Sequence, residues 1–274
     1  MVDEVDVMSS SDNEFSDQQL LRYSRQIMLP SFGIESQQVL HDAHIAIIGI
    51  GGLGSPAALY LCASGVGRLT LVDFDTVEAS NLQRQIIHND AEQGNNKAES
   101  AARSLQRLNP DTDVHCIDRK LDEPGLLELC AQVDCVIDAT DNFTSRFMIN
   151  TACVKSRTAL VSAAAIRYEG QISVFDLRQE NSACYACLYP ELDPAQGEQE
   201  TTCAENGILA PVVGILGSMQ ALESIKLLCG IGEPLVNRLL LFDALALQWR
   251  TMRLRKDNDC PVCGKKQDQQ VISC

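Results

Sequence analysis

A short apolar, β-branched run at residues 44–48 leads directly into Gly49-Ile50-Gly51-Gly52-Leu53-Gly54, and a helical stretch follows at 55–64. Strand, glycine turn and helix in that order constrain the fold more than any other feature of the chain. Glycines at these spacings let backbone approach a phosphate and let the helix pack closely on the strand, the dinucleotide-binding arrangement of a parallel α/β sheet. A glycine turn serving only close packing is the alternative. Asp73 ends the next apolar run, 69–73, nineteen residues beyond Gly54, where a carboxylate can accept hydrogen bonds from ribose hydroxyls. These residues alone fit an NAD-dependent oxidoreductase.

The alternation continues along the chain. Helices are expected at 17–28, after a capping Ser16, and at 96–108, with further strands at 114–117, 133–138 and 159–162. Strands alternating with helices predict an α/β fold, Rossmann-like and doubly wound, with a mostly parallel sheet and helices on both faces. After Gly170 the pattern changes to strands at 171–177, 239–242 and 247–252 around a helix at 211–229, which predicts an antiparallel C-terminal extension. Residues 1–15 are expected to be a disordered acidic tail, 16–264 a single domain and 265–274 a flexible C-terminus. The polar segment 191–205 has little to bury and is expected to be a mobile loop.

The formal charge of −15 argues against nucleic-acid and anionic-membrane partners, which need basic surface to displace counterions. The longest uncharged run, 207–222, is broken by Pro211, Gly214 and Gly217 and falls short of the roughly 20 apolar residues of a bilayer span. It is expected to be a buried helix. The N-terminus has neither the basic start nor the apolar core of a signal peptide, so a cytoplasmic location is expected. There the twelve cysteines stay reduced, and clustered thiols bind metal more often than they form disulfides.

In so acidic a chain, the cations near the glycine loop are informative. The segment from Asp73 through Asp75, Ser80, Asn81, Gln83 and Arg84 to Gln85 is followed by Lys97 at the start of a helix. Arg and Lys can stabilise charge developing on a pyrophosphate leaving group, although each singly is also an ordinary surface charge. A second candidate site follows the strand at 133–138, where Asp141 could hold Mg2+ or, equally, cap the helix that starts near Phe143.

Cys184-Tyr-Ala-Cys187 and Cys260-Pro-Val-Cys263 form two thiolate knuckles. Four sulfurs close a tetrahedral zinc shell with no open position, so the ion is expected to be structural; an iron–sulfur cluster is the competing occupant. Cys203 stands apart in the polar segment, where a thiol could attack an activated acyl group or be inert. Cys62, Cys116, Cys130, Cys135, Cys153 and Cys229 are read as small core hydrophobes, and the four histidines receive no role.

The run Leu21-Arg22-Tyr23-Ser24-Arg25-Gln26-Ile27, the glycine loop, Asp73-Phe-Asp75, Ser80-Asn81-Leu82-Gln83-Arg84, Lys97, Asp141-Asn142 and both cysteine pairs resemble the MoeB/ThiF/HesA family of ubiquitin-activating-like adenylyltransferases. The likeness spans about residues 16–264 and is strongest to the MoeB branch, through the stretch from Ser162 to Phe175. The resemblance implies a reaction with ATP, Mg2+ and a structural Zn2+. The C-terminal glycine carboxylate of a small ubiquitin-fold sulfur carrier ending in Gly-Gly attacks the α-phosphate, giving an acyl-adenylate and pyrophosphate before sulfur transfer. A MoaD-like carrier of molybdenum-cofactor (molybdopterin) biosynthesis is the leading partner, and a ThiS-like thiamine carrier the alternative.

By the same resemblance Gly49, Gly51, Gly52, Gly54, Asp73, Asp75, Ser80, Asn81, Gln83, Arg84, Lys97, Asp141 and Asn142 form the nucleotide site. Asp73 takes the ribose, Asn81, Arg84 and Lys97 the phosphates, and Asp141 the magnesium. Arg25 is implied to reach the nucleotide of a second subunit in a homodimer. Residues 40–165 become a nucleotide-binding part and 166–264 a carrier-binding and zinc part. The chain stops at Cys274 without a sulfurtransferase domain, so the sulfur donor is expected to be a separate protein. The segment between Cys187 and Cys203 is a few residues longer than is usual in the family, which bears on how Cys203 is placed. A non-catalytic module that merely holds a ubiquitin-like partner is a further reading.

Overall fold

A computed structural model describes residues 15–189 and 207–264. Cys203, the polar segment, the acidic tail up to residue 14 and the last ten residues, for which expectations are set out above, lie outside the described residues. Eight strands form one sheet in the order β3-β2-β1-β4-β5-β6-β7-β8. They are β1 (His44–Ile48), β2 (Arg68–Val72), β3 (Asp113–Ile117), β4 (Cys135–Asp138), β5 (Ala159–Ile166), β6 (Glu169–Phe175), β7 (Arg238–Asp243) and β8 (Gln248–Arg253). The first five are parallel and the last three are added antiparallel, as the sequence pattern predicts.

The helices are α1 (Asp17–Ile27), α2 (Gly33–Asp42), α3 (Gly54–Ala63), α4 (Lys97–Leu108), α5 (Glu123–Cys130), α6 (Phe143–Ser156), the single turn α7 (Tyr185–Leu188) and α8 (Ala210–Cys229). Ser16 starts α1 with a capping box: its hydroxyl accepts from Gln19 N at 3.3 Å while Gln19 Oε1 accepts from Ser16 N at 3.0 Å. Besides the single turn α7, two helices have no counterpart in the sequence reading. α2 lacks a side-chain cap and turns Ser36 and Gln37 inward beside Leu40, so it shows no apolar stripe; α5 is only eight residues long.

Successive residues of β1 serve opposite faces of the sheet. Ile45 and Ile47 join α2, α3, α4 and α8 in one core, and Ala46 and Ile48 join α5, α6 and the cysteine knuckles in the other. Both faces of β1 are therefore covered, which is why its sequence is a continuous apolar run. α8 is apolar enough by length and composition to cross a membrane, with a mean hydropathy of 1.4, yet it is a core helix here. It packs on α3, β5 and β6, and its polar residues Gln220, Glu223 and Ser224 are buried with it. Gly217 allows that approach, because a Cβ there would lie 2.1 Å from the Leu53 carbonyl oxygen.

The cysteine expectations need one correction. Cys62, Cys130, Cys135 and Cys153 are buried, but Cys116 is exposed on the edge strand β3 and Cys229 only partly covered. An edge strand has one neighbour and little cover, so its cysteine gains little burial.

Candidate active site

The strand order reverses between β1 and β4, and in a doubly wound sheet ligands bind at that switch point, outside the carboxyl ends of the strands. A cleft opens there, with the glycine loop after β1 on one side and the loop after β4 on the other. Gly49, at φ +92°, makes the turn, and a Cβ on it would sit 2.8 Å from the Ala139 carbonyl oxygen, so the two loops are jammed backbone to backbone. Gly51 faces the cleft and Gly52 packs on Val213 of α8. Gly54 lies deeper, away from the cleft lining, and is required for packing: a Cβ there would fall 1.9 Å from the Gly49 carbonyl oxygen.

Asp73 follows β2 and braces the glycine loop, its Oδ2 accepting from Ile50 N at 2.7 Å and its Oδ1 from Asp75 N at 2.9 Å. Burial pushes the carboxyl above its ordinary pKa, against the nearby Lys97 charge, which pulls the other way. Lys97 opens α4 with its side chain buried and its Nζ 2.9 Å from Asp75 Oδ2. Arg84 donates to the Ser80 carbonyl and to Asn81 Oδ1, both at 3.1 Å. Its guanidinium is thus aimed by two residues that do not themselves line the cleft.

Asp138 ends β4 as a buried carboxylate with a full set of donors. Its Oδ1 accepts from Thr140 N at 3.1 Å and Thr140 Oγ1 at 2.7 Å, and its Oδ2 from Ser162 Oγ at 2.7 Å. Gln220 of α8 donates to its backbone carbonyl at 2.7 Å. This network fixes the turn that presents Asp141. The N-cap of α6 is Asn142, whose Oδ1 accepts from Ser145 N at 2.8 Å. Capping therefore falls to Asn142 and not to Asp141, whose exposed carboxylate stands at the cleft.

Of the residues anticipated from sequence, Gly49, Gly51, Gly52, Asp73, Asp75, Arg84, Lys97, Asp141 and Asn142 line one cleft. Gly54, Ser80, Asn81 and Gln83 do not, and Gln83 is exposed; the glutamine in the cleft is Gln85, which is buried beside Gly51. Arg25 lies exposed on α1, outside the lining. Further lining residues went unread in the sequence. Arg119 and Lys120 follow β3 on the ligand side of the sheet, and their place after a parallel strand was the available signal. Arg146 of α6 donates to the Thr140 carbonyl at 2.7 Å.

His88 also has a role that its spacing hid. Its Nε2 lies 3.1 Å from the Ile50 carbonyl oxygen and its Nδ1 2.9 Å from Ser100 Oγ. A carbonyl only accepts, so Nε2 carries the proton and the neutral ring accepts from Ser100 at Nδ1. Burial keeps its pKa below the ordinary histidine value. The ring is a strut between α4 and the glycine loop.

The two cysteine knuckles converge. Sγ–Sγ separations are 3.9 Å for Cys184–Cys187, 3.7 Å for Cys184–Cys260 and 3.4 Å for Cys187–Cys263, and all four sulfurs lie within 4.8 Å of one another. A tetrahedral shell with Zn–S bonds of about 2.3 Å has edges of about 3.8 Å, so the donor set fits a four-thiolate zinc ion. Asp257 N donates to Cys187 Sγ at 3.4 Å. Hydrogen bonding within the cluster, from Cys184 first and Cys263 second, drives the Cys187 thiol far below its ordinary pKa, while Cys184 and Cys263 are pushed above theirs, so the first thiolate of the cluster forms at Cys187.

A family model described as the ThiF family matches residues 23–262. The chain belongs to the ThiF family. It is 45% identical to the molybdopterin-synthase adenylyltransferase of Salmonella typhimurium, covering 92% of this chain and 99% of that one, and 46% identical, with the same coverage, to that of Escherichia coli. The adenylyltransferase and sulfurtransferase MOCS3 of Mus musculus is 45% identical over 90% of this chain, which spans only 53% of that longer protein. Among solved structures, E. coli MccB superposes with a TM-score of 0.78 at 24% identity, covering 89% of this chain and 72% of MccB, which attests the shared fold.

Proposed function

We propose that this ThiF-family protein is an ATP-dependent adenylyltransferase that activates the C-terminal glycine carboxylate of a small ubiquitin-fold sulfur carrier in molybdenum-cofactor biosynthesis. The observation that carries the reading is the cleft. One switch point gathers the glycine loop, Asp73, five cations in Arg84, Lys97, Arg119, Lys120 and Arg146, and the exposed carboxylate of Asp141, in a chain of net charge −15. The full-length identity to molybdopterin-synthase adenylyltransferases supports the carrier class.

The chemistry follows from charge and position. A carboxylate oxygen of the carrier attacks the α-phosphorus of ATP, the bond to the β-phosphate oxygen breaks, and pyrophosphate leaves with the electron pair. The attacking carboxylate is already ionised at neutral pH, so no general base is required. Gly51 and its neighbours admit the triphosphate close to the backbone, Asp73 receives the ribose, and Arg84 and Lys97 face the charge that builds on the leaving group. Lys97 exchanges Asp75 for phosphate as the nucleotide enters. Asp141 would hold Mg2+, which neutralises triphosphate charge when bound.

Residues 40–165 form the nucleotide part and 166–264 the carrier and zinc part. A reducing cytoplasm keeps the clamp cysteines free for metal. A homodimer in which Arg25 serves the neighbouring subunit fits the face that α1 presents: Leu21 and Met28 are 76% and 71% exposed beside it, apolar area that a second copy would cover.

The test is exchange of labelled pyrophosphate into ATP with the purified protein and candidate Gly-Gly carriers. Exchange should require a MoaD-like carrier and largely vanish in Asp141→Ala. Activity with a ThiS-like carrier alone would move the reading to thiamine. Tight NAD binding without ATP-Mg binding in calorimetry would return the chain to the oxidoreductase class, which leaves Arg84, Lys97 and the clamp unexplained.

A further inference from the structure

The metal clamp packs against the middle of α6, and the Asp141 loop leads into the first turn of the same helix. α6 begins at the Asn142 cap, and two turns later it carries Asn150, a fully buried amide in the middle of the helix. Asn is a poor choice there by propensity, and a buried amide must find partners. Its partners are both in the first knuckle. Tyr185 N donates to Asn150 Oδ1 at 2.8 Å, and Asn150 Nδ2 donates to Cys184 Sγ at 3.7 Å. The amide orientation is fixed, because only its oxygen can accept from a backbone N–H. The Tyr185 ring adds a second attachment, meeting Phe147 of α6 edge-on at 5.4 Å and Phe175 of β6 at 6.1 Å. Cys184, Cys260, Phe147 and Ile149 belong to the same core.

We propose that Asn150 is a positioning residue that ties the metal clamp to α6, so that loading the clamp fixes the Asp141 loop at the start of that helix. An N–H donated to a metal-bound thiolate disperses charge on sulfur, as outer-shell partners of metal ligands do. The same bond pins α6, whose first turn carries the Asn142 cap and whose Arg146 holds the Thr140 carbonyl at 2.7 Å. The clamp therefore acts on the cleft through α6 as well as closing the C-terminal segment. The consequence for catalysis rests on the adenylation reading above; the anchoring itself does not.

The experiment uses the full chain loaded with cobalt(II) in place of zinc, together with Asn150→Asp. This variant keeps the oxygen that accepts from Tyr185 N and removes the donor to Cys184. Expected are a shift of the thiolate-to-cobalt charge-transfer band to longer wavelength and a metal affinity about 10- to 100-fold weaker. Hydrogen exchange at amides 145–150 should accelerate in the metal-loaded variant and, without any mutation, in wild type stripped of metal. Cobalt bands present but unmoved by the substitution, or exchange at 145–150 indifferent to metal, would overturn the proposal. Absence of cobalt bands in wild type would instead sink the clamp reading on which it stands. Retention of ATP-Mg binding, with unchanged affinity, by metal-stripped wild type would remove the link to the cleft.

Discussion

At the scale of single residues, the cleft works by placing charge. Lys97 is buried along its stem and paired with a half-exposed Asp75, so its ammonium is held ready at little cost in ordering when a phosphate replaces the carboxylate. Lys97→Ala should lower the pyrophosphate-exchange rate at saturating ATP by about 100- to 1000-fold, the usual loss on removing one donor aimed at transition-state charge. A change confined to KM would show uniform binding instead. His88 carries a pH prediction whose sign is fixed by burial. Its native pKa lies below the ordinary value, so the unfolded chain takes up the proton first. The strut's contribution is complete above about pH 6.5 and is lost as pH falls below that toward the native value. His88→Gln cannot titrate, so its melting temperature should drop less than that of wild type between about pH 7.5 and about pH 5.5. Legibility of these residues follows their position. Asp73, Lys97 and Asp141 stand just after strands or at a helix start, where sequence pattern fixes location. The sequence placed Gln83 and Gln85 in the same segment but could not tell which faces the cleft, because the side that a short irregular turn presents has no period to read.

At the scale of elements, the loops after β1 and β4 meet backbone to backbone at Gly49 and Ala139, at the edge of the cleft. Gly49→Ala should destabilise the protein by about 1–3 kcal/mol in urea unfolding from the positive φ alone, with more from the backbone contact at Ala139. It should also weaken ATP-Mg binding, because any relief displaces the loop that presents Asp141. Gly94→Ala is the control: its φ is +85° but nothing lies within 4 Å of the added Cβ, so it should cost stability without touching nucleotide affinity. The strand–turn–helix order and the switch to antiparallel strands were legible because each is written in apolar periodicity and glycine spacing. α2 and α5 were not, since Gln37 and Ser36 are buried by partners distant in sequence: Gln37 donates to the Ser64 carbonyl at 3.0 Å, a contact no local pattern announces. The convergence of the two knuckles was legible from their spacing, whereas Asn150, their link to α6, was one more polar residue in a helix.

At the scale of the whole molecule, the charged candidates Asp73, Asp75, Arg84, Lys97 and Asp141 meet in one cleft of one chain, whereas Arg25 lies exposed on α1 beside uncovered Leu21 and Met28. In a symmetric dimer each subunit would give an Arg25 and receive one, so each site would be built from two chains. That arrangement has a stoichiometric signature. Arg25→Ala and Asp141→Ala homodimers should each be nearly inactive in pyrophosphate exchange. Unfolding and refolding them together at equal concentration, or co-expressing them with different tags, makes half the dimers mixed. In a mixed dimer the subunit with an intact Asp141 receives an intact Arg25 from its neighbour, while the other site lacks both groups. Random pairing therefore restores about a quarter of wild-type activity, with one working site in half the molecules. An Arg25 that served its own chain's nucleotide would leave every site of the mixture defective, and activity would stay at the level of the two inactive parents.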